Sequence, residues 1–524
     1  MLKTSLPGLT LTLIAHMQFA AAQSPPATLD ADTRAWWDTT ALLSNDAMEG
    51  RDAGSPGHER AARLVAERFA AAGLKPFAPD GGWLQPVPLE EVAVRSATIT
   101  VGGRPLVFLH DIYADPASVP PMLDAPLAYR GYCGADTLGD VKGKLVICHG
   151  TRRPELPGNS DRIAALTKAG ALGMIAISDP GFTVEPPRWP YAYARNLSIA
   201  GSTPPAASIA ILALNAESLG KLIAGSGQDA AALVVAGSKG APLPSFEIKN
   251  RFKASFTLAH DKLVSSNVIG MLPGTDQSMA DQAIVLTAHL DGYGYGEPIK
   301  DDGLYNGTLD DAAYVALLIR LAEQREGRGF RRSVIFAAVT GEEKGLLGSR
   351  WLIAHPPIPK ARIAGNINLD QLRPIFPLEL LTVHALDDTT LGDDARAVAT
   401  SLGITVQNDP EPERRLLMRS DHWTFLEAGI PAVNFVFGYR PGTQSERIYR
   451  RWYRENYHKP QDDLQQPMDW QAAADFNRFF YQLVARVADQ DAAPSWKAGS
   501  KLRCENRELT SRKATRRAQL LQGT

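Results

Sequence analysis

Cysteine is scarce. Three residues in 524, Cys133, Cys148 and Cys504, exclude a disulfide-scaffolded fold and give none of the paired spacings of a structural thiolate zinc site. Charge imbalance is lacking too. The 55 Lys and Arg stand against 57 Asp and Glu, a formal net charge of −2, which argues against a nucleic-acid-binding chain and against an acidic disordered one. Long apolar runs are missing beyond the amino terminus, so no later segment reads as a membrane span. There, MLKTSLPGLTLTLIAHMQFAAAQ carries Lys3, an apolar stretch broken by His16, and Ala20-Ala21-Ala22 before Gln23. That stretch is shorter than the roughly 20 residues needed to cross a bilayer, and it reads as a cleaved export signal over residues 1–22 rather than a stable anchor. The mature protein is therefore expected in the periplasm or outside the cell. Export would permit a Cys133–Cys148 bridge; two buried thiols are the alternative, because sequence separation says nothing about the Cα distance a disulfide needs.

What is present is enough chain for about three domain-sized units, or one large domain with an insertion. HERAARLVAERFAAAGLKP spaces Ala61, Val65, Phe69 and Ala72 along one helix face and stops at Gly73 before Pro76. From about Ala117 to Gly240, the strand-like runs KLVIC and GMIAI flank a helical stretch from Arg162 to Ala171, with Pro- and Gly-rich segments on both sides; this predicts a smaller inserted α/β unit. From Ser266 onward, AIVLTAHL, DAAYVALLIRLAEQ, SVIFAAVT, EEKGLLGSRWLIA and IAGNINLD alternate strand and helix. The fold class expected is α/β, a mostly parallel mixed sheet sandwiched by helices, with the ligand crevice beyond the carboxyl ends of the strands. The expected divisions are 23–116 and 246–490 for the main domain, 117–245 for the insert, and 491–524 for a basic, disordered tail.

The chemistry-bearing residues fall at those strand ends. His289 and Asp291 close AIVLTAHLD at positions i and i+2, which sends both side chains to one side of an extended chain. One can bind a metal while the other orients it. Asp310 follows DDGLYNGTL and opens a helix, where in isolation it reads as an N-cap, with Asp311 shaping the turn through its backbone. Glu342 and Glu343 follow SVIFAAVT and Gly341, and adjacent acids on a turn point apart, one toward a metal and one toward water; as a plain alternative they complement a helix dipole. Asp370 ends IAGNINLD and His458 lies in the loop NYHKPQDD. As a set these give two His and three carboxylates in the order His, Asp, Glu, Asp, His. With one carboxylate bridging, that supplies three ligands to each of two metals and leaves positions open. Nitrogen and oxygen donors without thiolate suit zinc, with cobalt or manganese as replacements.

The sequence resembles the di-zinc exopeptidase family that includes secreted bacterial aminopeptidases and glutamate carboxypeptidase. The resemblance runs through SNVIGMLPG (266–274), AHLDGYG (288–294), YNGTLDDAA (305–313), GEEKGLLGS (341–349), NLD (368–370), SDHWTFLEAGIPA (420–432) and YHKPQDD (457–463), with DAMEGRDAGSPG (46–57) resembling the entry into the domain. It implies two zinc ions, one on His289 and Asp370, the other on Glu343 and His458, with Asp310 bridging. It also implies Glu342 as general base, Asp291 as the orienter of His289, and Tyr457 as a donor to the developing oxyanion. The metals would acidify a shared water, Glu342 would take its proton, and the hydroxide would attack the scissile carbonyl of a peptide substrate. GDVKGKLVICHG with ALTKAGALGMIAISDP resembles a protease-associated domain, expected to narrow the cleft. Two departures, Ala313-Tyr314 in place of a small pair after the bridging Asp and Gln371 after NLD, are expected to reshape the substrate pocket. An aminopeptidase is the leading expectation. A carboxypeptidase or dipeptidase would need a cationic clamp, for which Arg373, Arg414, Arg415 and Arg419 are available, and an inactive binding protein on the same fold is the remaining alternative.

Overall fold

The computed structural model describes residues 26, 28–153, 155–178, 189–202, 208–370 and 372–503. The expected export signal, Gln371 and Cys504 lie outside these residues.

Local signals set the first helices. Asp30 caps Ala31–Ser44 by accepting the Thr33 amide at 2.9 Å. Ser55 caps Pro56–Ala71, which has Pro in its first turn and is followed by Gly73 at φ 81°. That helix buries Ala61, Val65 and Phe69 as its periodicity predicts.

Strand Ala283–His289 shows how the sheet is sandwiched. Ile284, Leu286 and Ala288 enter one core with Phe69, Leu317 and Phe476, while Ala283 and Val285 enter another with Trp423 and Phe425. Alternation along an extended chain divides them, and both faces are buried, as in a helix-covered parallel sheet. The sheet order in the main domain is 405–407, 380–384, 432–437, 363–368, 283–289, 333–339, 246–272. The contacts between 363–368, 283–289 and 333–339 are parallel, while 380–384 and 246–272 run antiparallel to their neighbours 432–437 and 333–339. The architecture is the expected mixed, mostly parallel sheet between helices.

Two long strands leave this sheet together. Phe246–Leu272 and Leu84–Val101 pair antiparallel from Val268↔Leu84 to Phe252↔Val101. At its far end Phe246–Leu272 pairs with Met122–Tyr129, which starts a parallel run of 122–129, 145–149, 173–177 and 210–214. The core of this second unit gathers Val94, Ile112, Leu127, Ile147, Leu212 and Phe252, residues on both sides of positions 117 and 245. Cys133 and Cys148 form a disulfide.

The carboxyl-terminal tail differs from expectation. Over residues 491–503 it is packed on the protein, Trp496 and Leu502 against the core and the Trp496 indole donating to the Gly429 carbonyl at 2.8 Å.

Candidate metal centre

Beyond the carboxyl ends of three strands the fold assembles His289, Asp310, Glu342, Glu343, Asp370 and His458. Donor atoms of His289, Asp310 and Asp370 lie within 4.8 Å of one another, as do those of Asp310, Glu343 and His458. The two groups share Asp310. Its Oδ1 is 3.2 Å from His289 Nε2 and its Oδ2 is 3.4 Å from His458 Nε2, so each carboxylate oxygen faces a different imidazole. His289 Nε2 is also 4.0 Å from Asp370 Oδ1, and His458 Nε2 is 3.6 Å from Glu343 Oε2.

The backbone reaches this arrangement differently from the sequence reading. Asp310 is no N-cap: regular helix begins at Ala313 with Ala312 in the cap position, and no side chain caps it. The loop is held instead by Asp462, whose carboxylate accepts the amides of Leu309 at 2.9 Å and Asp310 at 3.0 Å. Asp311 contributes its side chain as well as its backbone, Oδ2 accepting the His289 amide at 3.0 Å. The acids after Gly341 (φ 65°) precede the next helix, Leu347–Ala354, by several residues, which removes the helix-dipole alternative. Their turn is fixed by Asp291, whose two oxygens accept the amides of Glu342 at 3.1 Å and Glu343 at 3.3 Å. His289 Nδ1 meets the Asp291 carbonyl at 3.1 Å, closer than the Asp291 carboxylate at 3.8 Å. A ligating imidazole is commonly oriented by such an acceptor on its second nitrogen.

Electrostatics show what the cluster needs. Burial pushes Glu342 well above its ordinary range, with Asp370, Glu343 and Asp421 adding repulsion against the pull of His289. Burial likewise takes Glu343 up to about 7 and raises Asp370. Asp310 goes the other way: burial opposes ionisation, but the facing imidazoles of His289 and His458 and the charge of Arg373 hold it well below the carboxylate range. Asp310 Oδ2, Glu343 Oε1 and both oxygens of Asp370 are buried without a hydrogen-bond partner. Orphaned oxygens on crowded acids, facing imidazole nitrogens, fit divalent cations and little else. Five nitrogen and oxygen donors, with one carboxylate shared, suit zinc.

Besides Asp462, two residues that sequence reasoning missed support the site. Arg51 is fully buried and donates to the carbonyls of Leu43 (2.9 Å), Leu290 (2.8 Å), Asn306 (2.7 Å) and Gly307 (2.9 Å), clamping the two loops that carry Asp291 and Asp310. Burial lowers its pKa to about 10 against the pull of Asp291, Asp462, Asp311 and Asp310. Its only sequence signal is its place in DAMEGRDAGSPG. Arg51→Met should cost about 3–5 kcal/mol of stability, because four buried carbonyls lose their donor together. Thermal or chemical denaturation measures this, and a loss below about 1 kcal/mol would show that the loops satisfy those carbonyls without it. Tyr293 donates to Glu343 Oε2 at 2.5 Å and stands 3.2 Å from His458 Nδ1. Arg373, considered above as a clamp, is instead internal: it is fully buried over the Trp452 ring at 4.4 Å, with Nη2 3.7 Å from Asp310 Oδ2. Arg414 is buried too, against Glu411 and Tyr449. Tyr457 packs its ring on His458 at 3.7 Å. Tyr314 does not line a substrate pocket: it is buried against Phe476, and the Ala313 carbonyl accepts the Trp36 indole at 2.6 Å.

Fold and donor set together define an α/β metallohydrolase. Residues 267–484, which contain all five donors, match the family model described as Peptidase family M28. The chain is 26% identical over 240 residues to a probable zinc metalloprotease of Pyrenophora teres f. teres, covering 44% of this chain and 50% of that protein. It is 26% identical over 205 residues to aminopeptidase YwaD of Bacillus subtilis, covering 38% and 40%. The chain spans about half the length, or less, of the curated relatives it matches. Among solved structures, a zinc aminopeptidase from Bacillus subtilis shares the fold with a TM-score of 0.59 at 19% identity, over 89% of this chain and 97% of that one.

Proposed function

We propose that the protein is an exported exopeptidase that uses two zinc ions to release residues from the amino end of peptides. The observation that carries this reading is the pair of three-donor groups sharing Asp310, with Glu342 beside them and outside both. Two divalent ions on those donors would acidify water and polarise a scissile carbonyl. Glu342 accepts the proton of the attacking water and returns it to the leaving amine, a role that its place beside the two donor groups and outside both of them allows. Asp291 fixes the turn on which Glu342 sits, and Tyr457 donates to the oxyanion. Export is supported by the signal-like sequence at 1–22 and by the Cys133–Cys148 disulfide, a bond typical of oxidising compartments. Among the described residues, no helix is long and apolar enough to cross a membrane.

The amino-terminal direction rests on charge. Glu342, outside the two donor groups, is the acid suited to a substrate ammonium, whereas Arg373 and Arg414 are enclosed in the protein, which leaves Arg415 and Arg419 of the four clamp candidates to a substrate carboxylate. Matched peptides, free and N-acetylated, test it. Acetylation should lower kcat/KM about tenfold or more, the loss of a charge-assisted hydrogen bond. Equal values would reject the aminopeptidase reading, and dependence on a free carboxylate would promote the carboxypeptidase instead.

A further inference from the structure

DGYGYGEP contains a pattern that the metal site does not use. Residues 293–297 alternate Tyr-Gly-Tyr-Gly-Glu; within the strand Gly294–Ile299, Tyr295 and Glu297 share one face and Gly296 the other, while the chain turns at Gly294 (φ 68°) and Tyr293, just before the strand, lines the same cavity. The glycine face is pressed against protein: a Cβ on Gly296 would stand 2.6 Å from the Tyr305 ring and 2.7 Å from Pro190 Cα. The other face lines a cavity of about 560 Å³, closed on its far side by Phe108, Tyr191 and Arg195 of the second unit. Tyr293 belongs to both spaces, lining this cavity and the narrow gap over Asp310, Glu343 and His458. The strand therefore runs from the metal donors outward. Tyr293 is 7% exposed, whereas Tyr295 and Tyr191 are each 49% exposed, large aromatic surface left to solvent inside a concave space.

The cavity's charges are matched with one exception. Arg195 is held by Glu91 at 2.5 Å and Asp52 at 2.6 Å, Arg95 by Glu91 at 3.0 Å and Asp261 at 2.7 Å, and Glu49 by Arg60 at 2.6 Å. Glu297 accepts a hydrogen bond from the Tyr191 hydroxyl at 3.2 Å and has no cationic partner among the described residues. Four residue steps separate Tyr293 from Glu297, on the order of 10 Å of chain once the turn at Gly294 is allowed for. An aminopeptidase holds a single residue ahead of the scissile bond, so a track of this length serves the residues after it.

Building on the aminopeptidase reading, we infer that Tyr293, Tyr295 and Glu297 bind the leaving segment of an extended peptide and select a basic side chain two to four residues past the scissile bond. The Tyr295 and Tyr191 rings offer faces to the aliphatic stem and the cation, and the Glu297 carboxylate offers it a counter-charge.

The test uses six-residue peptides with lysine, norleucine or glutamate at the third, fourth or fifth residue, alongside a panel of single-residue 4-nitroanilides that have no leaving segment. The ratio of kcat/KM for lysine over norleucine should be about threefold to tenfold at one or more of these positions, the range of a partly exposed ion pair with a cation–π contact. Glu297→Gln should bring that ratio close to one, and Glu297→Lys should turn the preference toward glutamate. A folding defect lowers both peptides alike and leaves the ratio unchanged, so the readout separates selection from stability. A wild-type ratio of one at every position, or a ratio that survives Glu297→Gln, overturns the inference while anilide hydrolysis upholds the aminopeptidase reading. Failure to cleave both anilides and peptides from the amino end removes that reading and this inference with it.

Discussion

Protein stripped by a chelator should lose peptidase activity completely, regain it with zinc, and return to about two ions per chain. The expectation follows from the electrostatics of the cavity more than from the family match. Glu342, Glu343, Asp370 and Asp421 all have pKa values raised by burial, so in the metal-free cluster they are short of counter-charge. Arg373 serves Asp310, and Arg51 is spent on four carbonyls. The missing positive charge is the metal's. Stripping should also lower the melting temperature, since an ion that binds only the folded chain stabilises it by about 4 kcal/mol when free metal exceeds Kd a thousandfold. Metal analysis by mass spectrometry, activity and a melting curve on one sample make the comparison. Full activity in a sample verified to be metal-free would sink the mechanism, and one ion per chain would break the assignment of Asp310 as a shared ligand.

Glu342→Gln should retain near-normal metal content while kcat falls about 10²-fold or more, because it removes a proton acceptor and no ligand. Glu343→Gln should instead weaken metal binding. Distance alone does not separate these neighbours, since donor atoms of His289, Glu342 and Glu343 also fall within 4.8 Å. Their partners do. Glu343 Oε2 receives the Tyr293 hydroxyl and faces His458, and its Oε1 is orphaned, the pattern of a carboxylate waiting for a cation. Glu342 lies on the side of Asp370, Asp421 and His289, where burial, with carboxylate repulsion added, raises its pKa against the pull of His289. If the two variants exchanged phenotypes, the roles would be reversed.

The metal donors were legible because they interrupt apolar strand ends with charge. His289 and Asp370 could be read that way, and so could the Glu342-Glu343 turn after Gly341. Asp310 was legible as a donor only through the set and the family resemblance, since in isolation it reads as a cap and the apolar helical pattern gives no sign that regular helix waits until Ala313. Arg51, Asp462 and Tyr293 could not be read from local pattern at all. Arg51 reaches carbonyls 239 to 256 positions away, Asp462 supports a loop 152 positions away, and each looks like an ordinary polar residue of a loop. The extent of the second unit was hidden for a related reason. Composition marks Pro- and Gly-rich stretches, whereas the second core draws on Val94 and Phe252, which lie on strands continuous with the main sheet.

Those two long strands carry a consequence for how the molecule can be cut. The region matching the family begins at residue 267, inside Phe246–Leu272, and it omits Leu84–Val101 and both amino-terminal helices. Excised by itself it would keep 268–272 paired to 334–338 but bare the other edge of 267–271, which pairs with Lys75, Pro76, Leu84 and Gln85, and it would uncover Leu317 and Phe336, which share a core with Trp36 and Phe69. An open apolar edge of this kind invites pairing with a second chain. The stretch recognisable by descent is thus smaller than the stretch that can fold, and Arg51, which joins the loops of Asp291 and Asp310, lies in the part that descent leaves out.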